Sequence, residues 1–109
     1  MATGTVLRLN TRPGQRADLV AAFKRAKVLE AARQVEGFRS ATLLVPVDPD
    51  ADHVIVTARW DDEDAYGRWL AHPDRERINA GLLEFVTDAP AGSMYAIADE
   101  LSADSRQIV

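Results

Sequence analysis

The stretch His53 to Trp60, HVIVTARW, decides the fold, and it runs without a break into DDEDAYGRWLAHPDR at positions 61–75. The first segment is dense in β-branched and aliphatic residues and stays apolar on both faces until Arg59, the pattern of a strand covered on both sides. Asp61-Asp62-Glu63-Asp64 then concentrates negative charge where the positive end of a helix dipole would lie, with Asp61 or Asp62 placed to cap the free amides. The helix carries Ala65, Tyr66, Trp69 and Leu70 and breaks at His72-Pro73, because proline lacks a donor and disfavours helix in the residue before it. A second helical piece over Asp74 to Val86 buries Ile78, Leu82 and Leu83.

Working outward, Thr5 to Thr11 (TVLRLNT) alternates apolar and polar side chains and stops at Arg12-Pro13-Gly14, which predicts a first strand ending in a turn. From Gln15 the residues are good helix formers. Leu19, Ala22, Phe23 and Ala26 form one stripe, and Leu29, Ala32 and Val35 continue it slightly rotated, so one helix is expected up to Gly37. Phe38 to Val47 (FRSATLLVPV) predicts a second strand that ends at the acidic turn 48–52. Asp88 to Gly92 is loop, Ser93 to Ala98 is a fourth strand and 99–109 is a polar tail. The order β-α-β-β-α-β predicts a ferredoxin-like α+β fold: a four-stranded antiparallel sheet with its helices on one face. The other face needs a cover, and a second copy of the chain is the simplest one.

With 109 residues and seven Phe, Trp and Tyr together, the chain holds one core, so 1–109 is a single domain with its core at about 5–98. So short a chain leaves little room for a deep private cavity, and any sizeable site is expected to borrow walls from a second copy. The net charge of −4 and the lack of a long Lys/Arg run argue against nucleic acid as a partner. The charge is split between eight Lys/Arg against three Asp/Glu in 1–40 and five against fourteen in 41–109, which fits a basic first helix beside an acidic second one. Without cysteine there is no disulfide, thiolate nucleophile or Cys-ligated metal, and two isolated histidines do not converge on a metal by spacing. MATGTVLRLN lacks the apolar stretch of a signal peptide and no run of 18 apolar residues occurs, so a cytoplasmic location away from membranes is expected. Neither a GxGxxG nor a P-loop is present.

Several of these segments together resemble one family: the Pro13-Gly14 turn, EGF at 36–38 entering the second strand, the strand ending in Arg59-Trp60, and then DDEDAYGRW and HPDR. They resemble the antibiotic biosynthesis monooxygenase domain of the dimeric α+β barrel group, over about residues 5–98. The most specific part is Trp60 to Tyr66: a Trp, an acidic residue, three variable positions, Ala and an aromatic residue. The resemblance implies a homodimer whose two sheets face each other, with a small-molecule cavity between sheet and helices in each protomer. Family members include cofactor-independent oxygenases of aromatic polyketides, haem-degrading enzymes, quinol oxygenases and proteins without demonstrated chemistry, so fold alone leaves the activity open.

In the anthrone-oxidising members the Trp closing the third strand and the Tyr six residues later line the cavity, which implies those roles for Trp60 and Tyr66. Those members have an Asn four residues before the Trp, where this chain has Val56, and an Arg later in the second helix, near Asn79 here. The haem-degrading branch needs a His nine residues after a Trp corresponding to Trp69, and Ile78 stands there. It also needs an Asn in mid-strand one, where Arg8 stands, so haem degradation is not expected.

An oxygenase without metal or flavin relies on its substrate for electrons: a phenol or anthrone loses a proton and the carbanion reduces O₂ in a dry cavity. Trp60 offers an indole N–H and a flat wall, and Tyr66 a hydroxyl, although both residue types also serve as plain core aromatics. His72 is of a residue type that can act as a base, but a solvent-exposed cap before Pro73 is the commoner role. The expected catalytic set is Trp60, Tyr66 and His72, and the expected substrate contacts are Val56, Trp69, Phe23 and Asn79. Arg59, with Arg8, is expected on the opposite sheet face in an ion pair at the dimer interface. The function expected is a cofactor-independent monooxygenase of a small aromatic or quinone-type metabolite. A non-catalytic dimeric binding protein and a cyclase using the same cavity are the alternatives.

Overall fold

A computed structural model describes residues 1–101 and 103, so most of the polar tail expected over 99–109 lies outside the described residues. Four strands, β1 (Thr3–Asn10), β2 (Phe38–Leu44), β3 (His53–Trp60) and β4 (Ala91–Ala96), form one antiparallel sheet in the order β2-β3-β1-β4. Helices α1 (Arg16–Arg25), α2 (Val28–Arg33), α3 (Glu63–Leu70) and α4 (Arg75–Leu82), with a 3₁₀ turn at Leu83–Phe85, connect the strands. This is the ferredoxin-like arrangement.

β3 has the bounds its composition indicates, since it is held on both sides, pairing Trp60 with Thr3 of β1 and with Phe38 of β2. The other strands differ from expectation at their ends, where pairing rather than composition decides. β1 begins at Thr3 because Thr3 and Gly4 find partners in Trp60 and Arg59. β4 begins at Ala91, two residues early, because Ala91 pairs with Arg8. β2 stops at Leu44, opposite Ile55, and leaves Val47 fully exposed, since the proline at 46 cannot donate to the ladder.

The single helix expected over 15–35 is two helices. Lys27 adopts a left-handed conformation with φ of 54°, and the chain turns there between α1 and α2. That conformation costs a non-glycine residue about 1–2 kcal/mol. In return both stripes reach the core, with Leu19, Ala22 and Phe23 buried from α1 and Val28, Ala31 and Ala32 from α2. Downstream, the Asp62 side chain accepts from the Ala65 amide at 2.9 Å, so of the two candidate caps Asp62 starts α3. Gly37, with φ of 92°, closes the turn into β2, and its carbonyl accepts from the Asp61 amide at 2.8 Å. A Cβ at Gly37 would lie 2.6 Å from the Ala65 Cβ.

Strand alternation sorts side chains between two faces. Thr3, Thr5, Leu9, Val54 and Trp60 are buried against the helices, whereas Val6, Leu44 and Tyr95 are exposed on the other face. That face is uncovered in the single chain, so β3 is enclosed on one side only. There Arg59 pairs with Glu100 of its own chain at 2.7 Å, and the Arg8 Nε donates to the Asn10 side-chain oxygen at 2.8 Å. Among the described residues no helix is long and apolar enough to cross a membrane.

Candidate functional site

A cavity of about 780 Å³ opens between the covered sheet face and the helices. That is within the ~300–1,000 Å³ typical of small-molecule sites. A single chain therefore lines a cavity of this size by itself, where its length led to the expectation of little room for a private one. Small side chains at inward positions, Thr5, Ala41 and Ala58 on the sheet with Ala32 and Gly92 around them, leave volume that larger residues would fill.

Six of the seven residues singled out from sequence meet there: Val56 and Trp60 from β3, Phe23 from α1, Tyr66 and Trp69 from α3, and Asn79 from α4. Trp60 is 1% exposed and lies edge-on to Phe38, with ring centroids 5.6 Å apart, and tilted against Tyr66 at 5.8 Å. Its indole N–H does not point at an open site, because Nε1 donates to the Thr5 hydroxyl at 3.1 Å. Having accepted that bond, Thr5 Oγ1 keeps one proton to donate. Tyr66 is half-buried and its hydroxyl makes no hydrogen bond among the described residues. A Cβ built on Gly92 would stand 3.8 Å from that hydroxyl and 3.6 Å from Leu7 Cδ1, so the glycine leaves the space beside Tyr66 open.

His72 is not in the lining. Its Nδ1 accepts from the Asp74 amide at 3.0 Å and its ring lies 5.6 Å from that of Trp69, so it shapes the turn between α3 and α4. Val56 makes its stretch of the floor apolar, and Asn79 brings an amide to an exposed part of the wall. Four polar residues of the lining, Thr5, Arg75, Thr87 and Asp88, were missed by sequence reasoning. Thr5 was legible in principle, since it shares the inward phase of Leu7 and Leu9 in the β1 alternation. Arg75 lies in the first turn of α4 with its guanidinium carbon 5.3 Å from the Trp69 ring centroid, and its exposure could not be read from a helix start. Residues 88–90, within the stretch expected as plain loop, also border the cavity, as does Thr87.

The family model described as antibiotic biosynthesis monooxygenase matches residues 4–81, most of the sheet and all four helices but the end of α4. The chain belongs to the antibiotic biosynthesis monooxygenase family. Solved structures share its fold. Rv0793 from Mycobacterium tuberculosis is 22% identical and superimposes with a TM-score of 0.77 over 94% of this chain and 100% of that one. A mutant of SnoaB, a cofactor-independent oxygenase from Streptomyces nogalater, is 25% identical with a TM-score of 0.76 over 92% and 96% of the two chains. A conserved protein from Methanosarcina mazei Go1 is 15% identical with a TM-score of 0.74 over 87% and 91%. Among curated proteins none matches this chain.

In this member of the monooxygenase family, the position at which the haem-degrading resemblance would require an iron ligand is Ile78, a cavity-lining aliphatic side chain 3% exposed. No group of three or more His, Asp or Glu that could hold a metal ion occurs among the described residues.

Proposed function

We propose that this chain is a cofactor-independent monooxygenase of a small, polyketide-like aromatic or quinone-type metabolite, working as a homodimer joined through the open sheet face. The observation that carries this reading is the convergence of Trp60, Tyr66 and Trp69 on one largely apolar cavity with few polar atoms. A flat aromatic ring fits between such walls.

The chemistry follows from what the cavity offers. The substrate carbon acid gives up a proton, its carbanion passes electrons to O₂, and one oxygen atom enters the substrate while the other leaves as water. An anthrone methylene becoming a carbonyl balances this without an external reductant. The protein holds the ring away from water and supplies donors for developing negative charge on oxygen. The Tyr66 hydroxyl and the remaining Thr5 proton are suited to that role. His72 is not assigned a direct part, since it lies outside the lining.

The test is oxygen uptake by metal-free protein given anthrone or hydroquinone substrates. Uptake that falls in Trp60→Phe and Tyr66→Phe supports the proposal, and no uptake, or uptake indifferent to both substitutions, refutes it. Val56 favours a second reading, a binding protein without turnover, because an apolar side chain stands where the oxidising relatives resembled here have a polar one. Tight binding of an aromatic ligand recovered unchanged from aerobic buffer would select it.

A further inference from the structure

We infer that Arg75 is the anion contact of the cavity, and that the ligand class is an aromatic molecule carrying an ionised oxygen, a phenolate or enolate. The inference rests on the proposed function for the claim that an aromatic ligand enters the cavity at all, and adds to it the charge state and the residue that reads it.

Three observations meet at this side chain. Arg75 lines the cavity. Its guanidinium lies over the Trp69 ring, 5.3 Å from centroid to carbon, and Trp69 is itself 7% exposed. Its Nε is buried without a hydrogen-bond partner. A buried donor on a permanent cation is costly to leave unsatisfied, by more than the ~1–3 kcal/mol of a neutral group. The nearby carboxylates are occupied elsewhere: Asp74 faces Arg77 at 3.8 Å, and Asp88, which also borders the cavity, accepts from the Asn10 amide at 3.4 Å. No ion pair to Arg75 occurs among the described residues.

Contact with the indole face holds the guanidinium at the cavity wall, and an arginine held over an aromatic ring can still donate its N–H groups to an oxyanion. An aromatic ring against the apolar walls would bring an oxygen substituent to those N–H groups. The sign of the effect distinguishes this from burial alone. Apolar walls raise the pKa of a bound phenol, whereas a cation within about 4–6 Å lowers it, by about 1–3 pH units. For oxygenation the consequence is direct: when a carbon acid loses its proton, the charge resides largely on the conjugated oxygen, and a cation there increases the ionised fraction that O₂ can oxidise.

The experiment uses 2-hydroxyanthraquinone, whose visible band moves to longer wavelength on ionisation, beside 2-methoxyanthraquinone, which cannot ionise. Bound to the wild-type protein, the hydroxy compound should ionise at least one pH unit below the free dye, equivalent to an about tenfold preference for the anion. Arg75→Gln should bind the methoxy compound as the wild type does, yet the hydroxy compound should ionise in it at or above the pH of the free dye. Arg75→Lys, which keeps the charge and loses the fork, should fall between them. Binding of both dyes with no downward shift, or a shift unchanged in Arg75→Gln, overturns the role of Arg75 and leaves the cavity reading standing. Failure of both dyes to bind the folded wild-type protein overturns the two together.

Discussion

Replacing Thr5 by valine keeps the shape of the side chain while removing the acceptor that Trp60 Nε1 uses at 3.1 Å. Trp60 is 1% exposed and Thr5 7%, so water does not replace the lost partner, and the stranded N–H should cost about 1–3 kcal/mol. Trp60→Phe removes the donor instead, keeps a ring against Phe38 and Tyr66, and leaves a void where the rest of the indole stood, at about 2 kcal/mol. In the double variant no buried N–H is stranded, so the two losses should fall short of additivity by about 1–2 kcal/mol. Urea unfolding of the four proteins measures this. Protein concentration must be held fixed, because the apparent stability of a protein that associates depends on it. Equal denaturant slopes would show that the unfolded states are comparable. Additivity within about 0.3–0.5 kcal/mol would refute the claim that this bond ties β1 to β3 beneath the cavity.

Two further predictions concern glycines. Gly37→Ala puts a Cβ 2.6 Å from that of fully buried Ala65 on a backbone with φ of 92°, so conformational and steric costs should total about 2–4 kcal/mol. In a thermal melt this is a fall of about 10 °C or more, whereas Gly14→Ala, with φ of 79° and nothing within 4 Å, should lose roughly half as much or less. Equal losses would remove the steric part of the argument. Gly92→Val should leave the melting temperature within a few degrees, since its Cβ meets Leu7 and Tyr66 at ordinary distances, but its methyls should weaken binding of an aromatic ligand about tenfold or more; unchanged affinity by calorimetry would put the ligand elsewhere.

Where local chemistry and tertiary structure agree, the sequence alone was enough to place the elements. β3 and the start of α3 were legible because a β-branched run gives way to a charged cap within two residues, and the family resemblance carried by Trp60 to Tyr66 implied the cavity on which both aromatics lie. The break at Lys27 was not, because the rotation of the apolar stripe between Ala26 and Leu29 suits a curved helix as well as a left-handed turn, and only packing of α2 on β2 selects the turn. Cavity volume is not legible in the sequence because it depends on which small residues meet across the fold: Thr5, Ala32, Ala41, Ala58 and Gly92 are far apart in the chain. The place of Arg75 is hidden in the sequence for a related reason. A helix-start arginine reads as solvent-facing until Trp69, six residues earlier and beyond a proline turn, is seen beneath it.

The central claim is that the space beside Trp60 and Trp69 is a ligand cavity rather than filled core. The chain has two tryptophans, and both line it, so its tryptophan emission comes entirely from the cavity walls. Titration of the protein with 2-hydroxyanthraquinone should quench that emission in a saturating curve, while aqueous iodide, excluded from side chains 1% and 7% exposed, should leave most of it intact. Quenching by the anthraquinone that stays linear in concentration, with the slope found for free N-acetyltryptophanamide, would contradict it.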